Sequence, residues 1–185
     1  VLSGLWSDKM EYSILGKRSA EDDIDFAIKR LCSESSSQNV LISIKKMFVD
    51  TAQYEIAERY VTRLRQRYDE DNKPLEARRS LILLACIAMK CHCYATAADY
   101  YIDAFNKYPL REDPIEDLMN ALVCFSSNSD YAFAETIYQR IIIRTQGPEW
   151  RTSVNWLHVQ IIFAKLLAAV GQIERAAFLL ANVKR

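Results

Sequence analysis

Glycine and proline are scarce in this 185-residue chain, four of each. That scarcity excludes a fold built on many tight turns between strands and leaves the eight residues as helix punctuation. Histidine is scarcer still. His92 and His158 stand alone, with no glycine-rich phosphate loop, metalloprotease helix motif or nucleophile elbow, so no catalytic residue and no cofactor is expected. The chain also lacks a run of about eighteen apolar residues, the length a membrane span needs. Its longest apolar stretches, Leu81 to Met89 and Val159 to Val170, are broken by small or polar residues and read as buried helices. Nor is there an excess of one charge. Lys plus Arg and Asp plus Glu number 24 each, which removes the global field of a dedicated nucleic-acid binder and leaves only local patches. Five scattered cysteines without a secretory leader favour reduced thiols in cytoplasm or nucleus. Opening on Val1 rather than Met, the chain reads as a processed protein or a piece of a longer one.

What the chain has in abundance is apolar side chain, half of all residues, and it is arranged in a recurring phrase. A turn-prone or small residue, a spacer, Tyr or Ile, two spacers and Ala occur as Ala52 to Ala57, His92 to Ala97, Ser129 to Ala134 and Gly171 to Ala176. The closing alanines are 40, 37 and 42 residues apart, and Val61, Tyr101, Tyr138 and Leu180 stand four positions beyond them on the same helical face. Each phrase reads as a turn feeding the second helix of a hairpin. Units of this size bury their apolar faces by stacking, and a stack presents a long surface to other proteins.

The predicted organisation is therefore all-α: an arm over residues 1–18, then a helical repeat domain over 19–185 with hairpins at about 39–69, 74–108, 113–145 and 149–185. Ser19 and Asp22 resemble a capping box ahead of a short helix to about Cys32, and Ser33 to Gln38 reads as a loop. Pro74 suits the first turn of a helix, and Asp113-Pro114-Ile115-Glu116 is a start signal. Gly147-Pro148 ends the third hairpin, a long helix runs from roughly Trp150 to Val170, and Gly171 stops it. The last helix is only partly polar where a terminal repeat is expected to have a polar outer face, so further chain, a partner or a second copy is expected to cover it.

Within residues 78–111, Leu81, Leu84, Ala85 and Ala88 in one helix, then Ala97, Tyr101, Ala104 and Pro109, resemble the tetratricopeptide repeat. The fourth copy keeps Ala164, Leu167, Gly171, Ala176 and Leu180, whereas Lys45 and Leu122 stand where the first and third would have a small residue. The resemblance covers about residues 38–185. It implies a right-handed α-solenoid of stacked antiparallel helix pairs, with degenerate repeats of about 37–42 residues. Ala134 to Arg140 is also similar to the half-a-tetratricopeptide repeats of RNA-processing scaffolds, and the pitch to helical arms of proteasome-lid subunits.

Stacked as in that family, the first helices would line an inner groove. The resemblance places there Asn39, Ile42, Lys46, Val49 and Asp50, then Arg79, Ile82, Cys86, Met89 and Lys90. Glu116, Met119, Val123, Ser126 and Ser127 come next, then His158, Ile161, Lys165, Ala168 and Ala169. So mixed a lining suits an apolar peptide or helical segment of a protein partner in a stable hetero-complex. The function implied is a non-catalytic scaffold or adaptor, a subunit of a larger assembly. The alternative is an RNA-associated scaffold using the basic cluster Arg59, Arg63, Arg67 and Arg78, extended by Arg65, Lys73 and Arg79. Cys86, Cys91, His92 and Cys93 lack the second ligand pair of a tetrahedral site, so no metal is expected. Trp6, Trp150 and Trp156 are candidate interface anchors or local staples.

Overall fold

The computed structural model describes residues 20–34, 37–108, 115–145, 147 and 153–183. Among them are nine α-helices and no strand: α1 Ala20–Glu34, α2 Ser37–Ile44, α3 Tyr54–Glu70, α4 Pro74–Lys90, α5 Tyr94–Lys107, α6 Ile115–Ser127, α7 Tyr131–Arg144, α8 Val154–Ala169 and α9 Ile173–Val183. The arm, Ser19, Pro109, Asp113, Pro114, Pro148, Trp6 and Trp150 lie outside the described residues.

The recurring phrase is a helix-ending turn. At Ala52, Asn72, His92, Ser129 and Gly171 the backbone takes φ of 60°, 53°, 59°, 57° and 81°. Around each, the same two hydrogen bonds close the preceding helix. Gln53 N–H donates to Phe48 C=O (2.7 Å) and Ala52 N–H to Val49 C=O (3.1 Å), and the pair recurs at Lys73/Asn72, Cys93/His92, Asp130/Ser129 and Gln172/Gly171. This is the Schellman motif, in which one left-handed residue satisfies two orphan carbonyls and redirects the chain. Shortly after each turn comes an alanine whose N–H bonds back to it, namely Ala57, Ala77, Ala97, Ala134 or Ala176. The first four are wholly buried and Ala176 is 5% exposed. A side chain larger than methyl there would hold adjacent helices apart.

Ala77 is the copy the sequence pattern missed, because Pro74 occupies the place Tyr or Ile takes elsewhere. Pro fits as the first helical residue, where no N–H is needed. The phrase therefore marks tight turns between hairpins as well as within them. Ala57, Ala77 and Ala97 are 20 residues apart because α3 and α4 are each 17 residues long and joined by three-residue turns. Long helices thus account for the first 40-residue pitch.

Three boundaries differ from expectation. The polar stretch 33–38 is mostly helical, with α1 running to Glu34 and α2 starting at Ser37. The Ser33 hydroxyl donates to Arg30 C=O (2.8 Å) and so stays with the helix it was expected to end. After Ile44, α2 continues as a π-helical turn over Lys45–Val49. And α8 begins at Val154, not Trp150, because Ser153 is its cap, accepting from Trp156 N–H at 3.1 Å.

Every helix from α1 to α9 packs against its successor, while α1 also meets α3, α2 meets α4, and α6 meets α8. Here α2, α4, α6 and α8 are first helices and α3, α5, α7 and α9 second helices. Two apolar clusters result. One gathers Ile28, Val40, Ile44, Val61, Leu64 and Tyr68 with Leu81 and Leu84 of α4. The other joins Ala85 and Ala88 of the same helix to Tyr101, Leu118, Leu122, Ile141, Phe163 and Leu167. Phe163 stacks on Tyr138 at 4.0 Å, and the Tyr138 hydroxyl donates to Gln160 Oε1 at 2.9 Å.

Candidate functional site

Each first helix keeps one stripe of side chains out of the core. On α4, Leu75, Arg79, Ile82, Cys86 and Lys90 fall at i, i+4, i+7, i+11 and i+15, all exposed or half-buried, with Met89 beside them. On α6 the stripe is Glu116, Asn120, Val123 and Ser127, and on α8 it is His158, Ile162, Lys165 and Ala169, flanked by Ile161 and Ala168. Asn39, Ile42, Lys46 and Asp50 are exposed along α2 and its π turn.

The stripes of α6 and α8 meet in a cleft of about 340 Å³ lined by Val123, Ser126, Ser127, Ile162, Lys165, Leu166 and Ala169. Four of these residues are apolar, and Ser126, Ser127 and Lys165 are polar. Ser127 Oγ donates to Val123 C=O (2.9 Å), whereas Ser126 Oγ is buried without a hydrogen-bond partner. Ile82 and Met89 are half-buried against the core, and the Tyr101 hydroxyl reaches Met89 Sδ at 3.7 Å and Cys86 Sγ at 3.8 Å.

Two residues assigned to the groove leave it. Val49 is 7% exposed: an α-helix would align it with Ile42 seven residues earlier, but the wider π turn rotates both Phe48 and Val49 into the core. Met119 is 8% exposed, turned into the cluster around Leu118 and Leu122.

The basic cluster is also redistributed. Arg78 is not surface charge. It is 8% exposed and pairs with Asp117 between α4 and α6, where burial pushes the Asp117 carboxyl up against the pull of the guanidinium. Arg63 holds Asp25 of α1 through two bonds of 2.5 and 2.6 Å, and this hydrogen-bonded guanidinium holds the Asp25 carboxyl below its usual range. Arg65 pairs with Asp69. Arg63 and Arg67 line a cleft between α1 and α3 with Lys29, Asp25, Glu70 and Asp71, three cations among three carboxylates. Arg59 is exposed and contributes to the neighbouring surface with Glu58.

All five cysteines are free. Cys124 is buried and its thiol pushed up to about 11 by desolvation, while Cys91 and Cys93 lie exposed in the turn around His92. Among the described residues no group of three or more His, Cys, Asp or Glu could hold a metal, and no helix is long and apolar enough to cross a membrane. Trp156 is half-buried.

The C-terminal end is bare. The residue four after the turn alanine is buried in the earlier second helices, at 0% for Val61, 4% for Tyr101 and 8% for Tyr138, but Leu180 is 42% exposed. The chain matches no family model and no curated protein.

Proposed function

We propose that this chain is a non-catalytic protein-binding scaffold, a right-handed tetratricopeptide-like α-solenoid whose first-helix stripes form a groove for an apolar segment of a partner. The observation carrying this reading is the α6–α8 cleft. It has an apolar lining of Val123, Ile162, Leu166 and Ala169, large enough for one or two aliphatic side chains, on a face that none of the described helices covers. Around it Ile82, Met89 and Ile161 offer further half-buried apolar surface along neighbouring first helices. The Schellman turns and buried alanines support the same reading, since they let neighbouring helices approach closely, and α2 meets α4 and α6 meets α8 on the first-helix side.

The test is capture of a partner, its purification, and titration of the purified pair by calorimetry. Val123→Asp and Ala169→Asp each place a carboxylate in the cleft. Ala169 is exposed, so its replacement spares the core. Both variants are expected to weaken binding at least tenfold with helical circular dichroism unchanged; undiminished affinity in Ala169→Asp would remove the groove.

A further inference from the structure

The cations of the two helix layers are treated differently. The second helices carry eight described Arg or Lys residues: Arg59, Arg63, Arg65, Arg67, Lys107, Arg140, Arg144 and Arg175. Six have a partner. Arg63, Arg65, Lys107 and Arg175 pair with Asp25, Asp69, Asp103 and Glu135. Arg140 donates to Asn106 Oδ1 (2.9 Å), and Arg140 and Arg144 both lie over the Phe105 ring.

On the first helices, apart from buried Arg78, the cations are Lys45, Lys46, Arg79, Lys90 and Lys165. None of the five forms an ion pair among the described residues. Arg79 is half-buried and the lysines are at least partly exposed. Apart from Asp117, paired with Arg78, the carboxylates on or just beyond these helices are Asp50, Glu76 and Glu116, three against five, so positive charge is in excess there although the whole chain is neutral. In a chain with as many acids as bases, a face whose cations stay unmatched has its complement elsewhere. Such complementarity sets encounter rate and partner choice more than raw affinity.

From this we infer that the groove takes an internal polypeptide segment in which acidic residues alternate with aliphatic ones. The inference rests on the groove reading and adds the chemistry of the occupant. Apolar side chains of the segment enter between the stripes, at Ile82 and in the cleft lined by Val123 and Leu166, while Asp or Glu residues meet Lys46, Arg79, Lys90 and Lys165 on either side. A single-stranded nucleic acid would also seek these cations, but it relies on aromatic platforms for its bases. The stripes of α4, α6 and α8 carry no Phe, Tyr or Trp, and His158 is their one aromatic ring, too few to seat a row of bases.

Fluorescence anisotropy with three probes decides the matter. Two are 20-residue peptides, blocked at both ends and identical in leucine positions, one with Glu and the other with Lys at the flanking sites; the third is a 20-nucleotide oligouridine. The Glu peptide is expected to bind at least tenfold tighter than the Lys peptide and the RNA, and to weaken as salt rises from 50 to 300 mM. Lys46→Glu, Lys90→Glu and Lys165→Glu combined should invert the preference between the two peptides, whereas Arg59→Glu on a second helix should leave it unchanged. Equal binding of both peptides would overturn the charge assignment and leave the groove standing. Tighter RNA binding would overturn it in favour of nucleic acid, and failure of both peptides to bind would bring down the groove as well.

Discussion

Replacing Ala52 by glycine should make this protein more stable. Ala52 sits at φ 60° in the turn from the π segment to α3, where Cβ crowds the backbone at about 1–2 kcal/mol for an ordinary L residue. Its side chain is exposed, so removing the methyl costs no packing, and both Schellman hydrogen bonds are backbone bonds that persist. Against the relief stands the freer unfolded chain, worth about 0.4–1 kcal/mol. The net gain expected is about 0.5–1 kcal/mol, or roughly 1–4 °C in Tm. Ser129, exposed at φ 57°, should behave alike, and the two gains should add because the turns belong to different hairpins. The reverse experiment is Gly171→Ala. Gly171 has φ 81° and open space where a Cβ would project, so its replacement should cost about 1 kcal/mol from backbone alone. Urea unfolding monitored by circular dichroism measures all three at unchanged slope. If Ala52→Gly lowers the midpoint while Gly171→Ala leaves it unmoved, the turns are not held as described and the reasoning fails.

The buried Arg78–Asp117 pair should be costly to halve. Asp117→Ala leaves a guanidinium at 8% exposure without its counter-charge, with an expected loss of about 3–5 kcal/mol, and Arg78→Met with Asp117→Leu should recover most of it by the same urea assay. Acid should loosen both ends. Asp25 is held below its usual range by Arg63, and Glu135 by the Tyr131 hydroxyl and then Arg175. Their stabilising contribution is full above the unfolded carboxylate range and is lost as pH falls through the lowered folded values. The stability difference between the natural chain and Asp25→Asn, measured by urea unfolding, should therefore be present at pH 7 and shrink below about pH 4. A difference that grows toward acid would reverse the assignment.

Local signals were readable from the chain because their causes are local. Gly171 ends a helix, Pro74 opens one, and alanines at fixed distance from each turn mark where helices approach. Two further features have causes the pattern conceals. The π turn at Lys45–Val49 has no breaker residue, so a 3.6-residue period carried through it puts Val49 on the wrong side. Charge pairing is longer in range. Arg63 meets Asp25 across 38 residues and Arg78 meets Asp117 across 39, and a cluster counted along the sequence as basic becomes neutral once folding brings the acids to it. The first-helix cations that remain unmatched, Lys45, Lys46, Arg79, Lys90 and Lys165, are scattered through the chain and form no long run to notice.

Two adjacent helices belong to both apolar clusters, α4 and, through Ala104 in one and Tyr101 and Phe105 in the other, α5. Leu81 and Leu84 of α4 are fixed by the N-terminal helices, and Ala85 and Ala88 by the C-terminal ones. Heat or mechanical tension that opens the molecule from either extremity therefore meets this shared pair of helices before it can reach the other half.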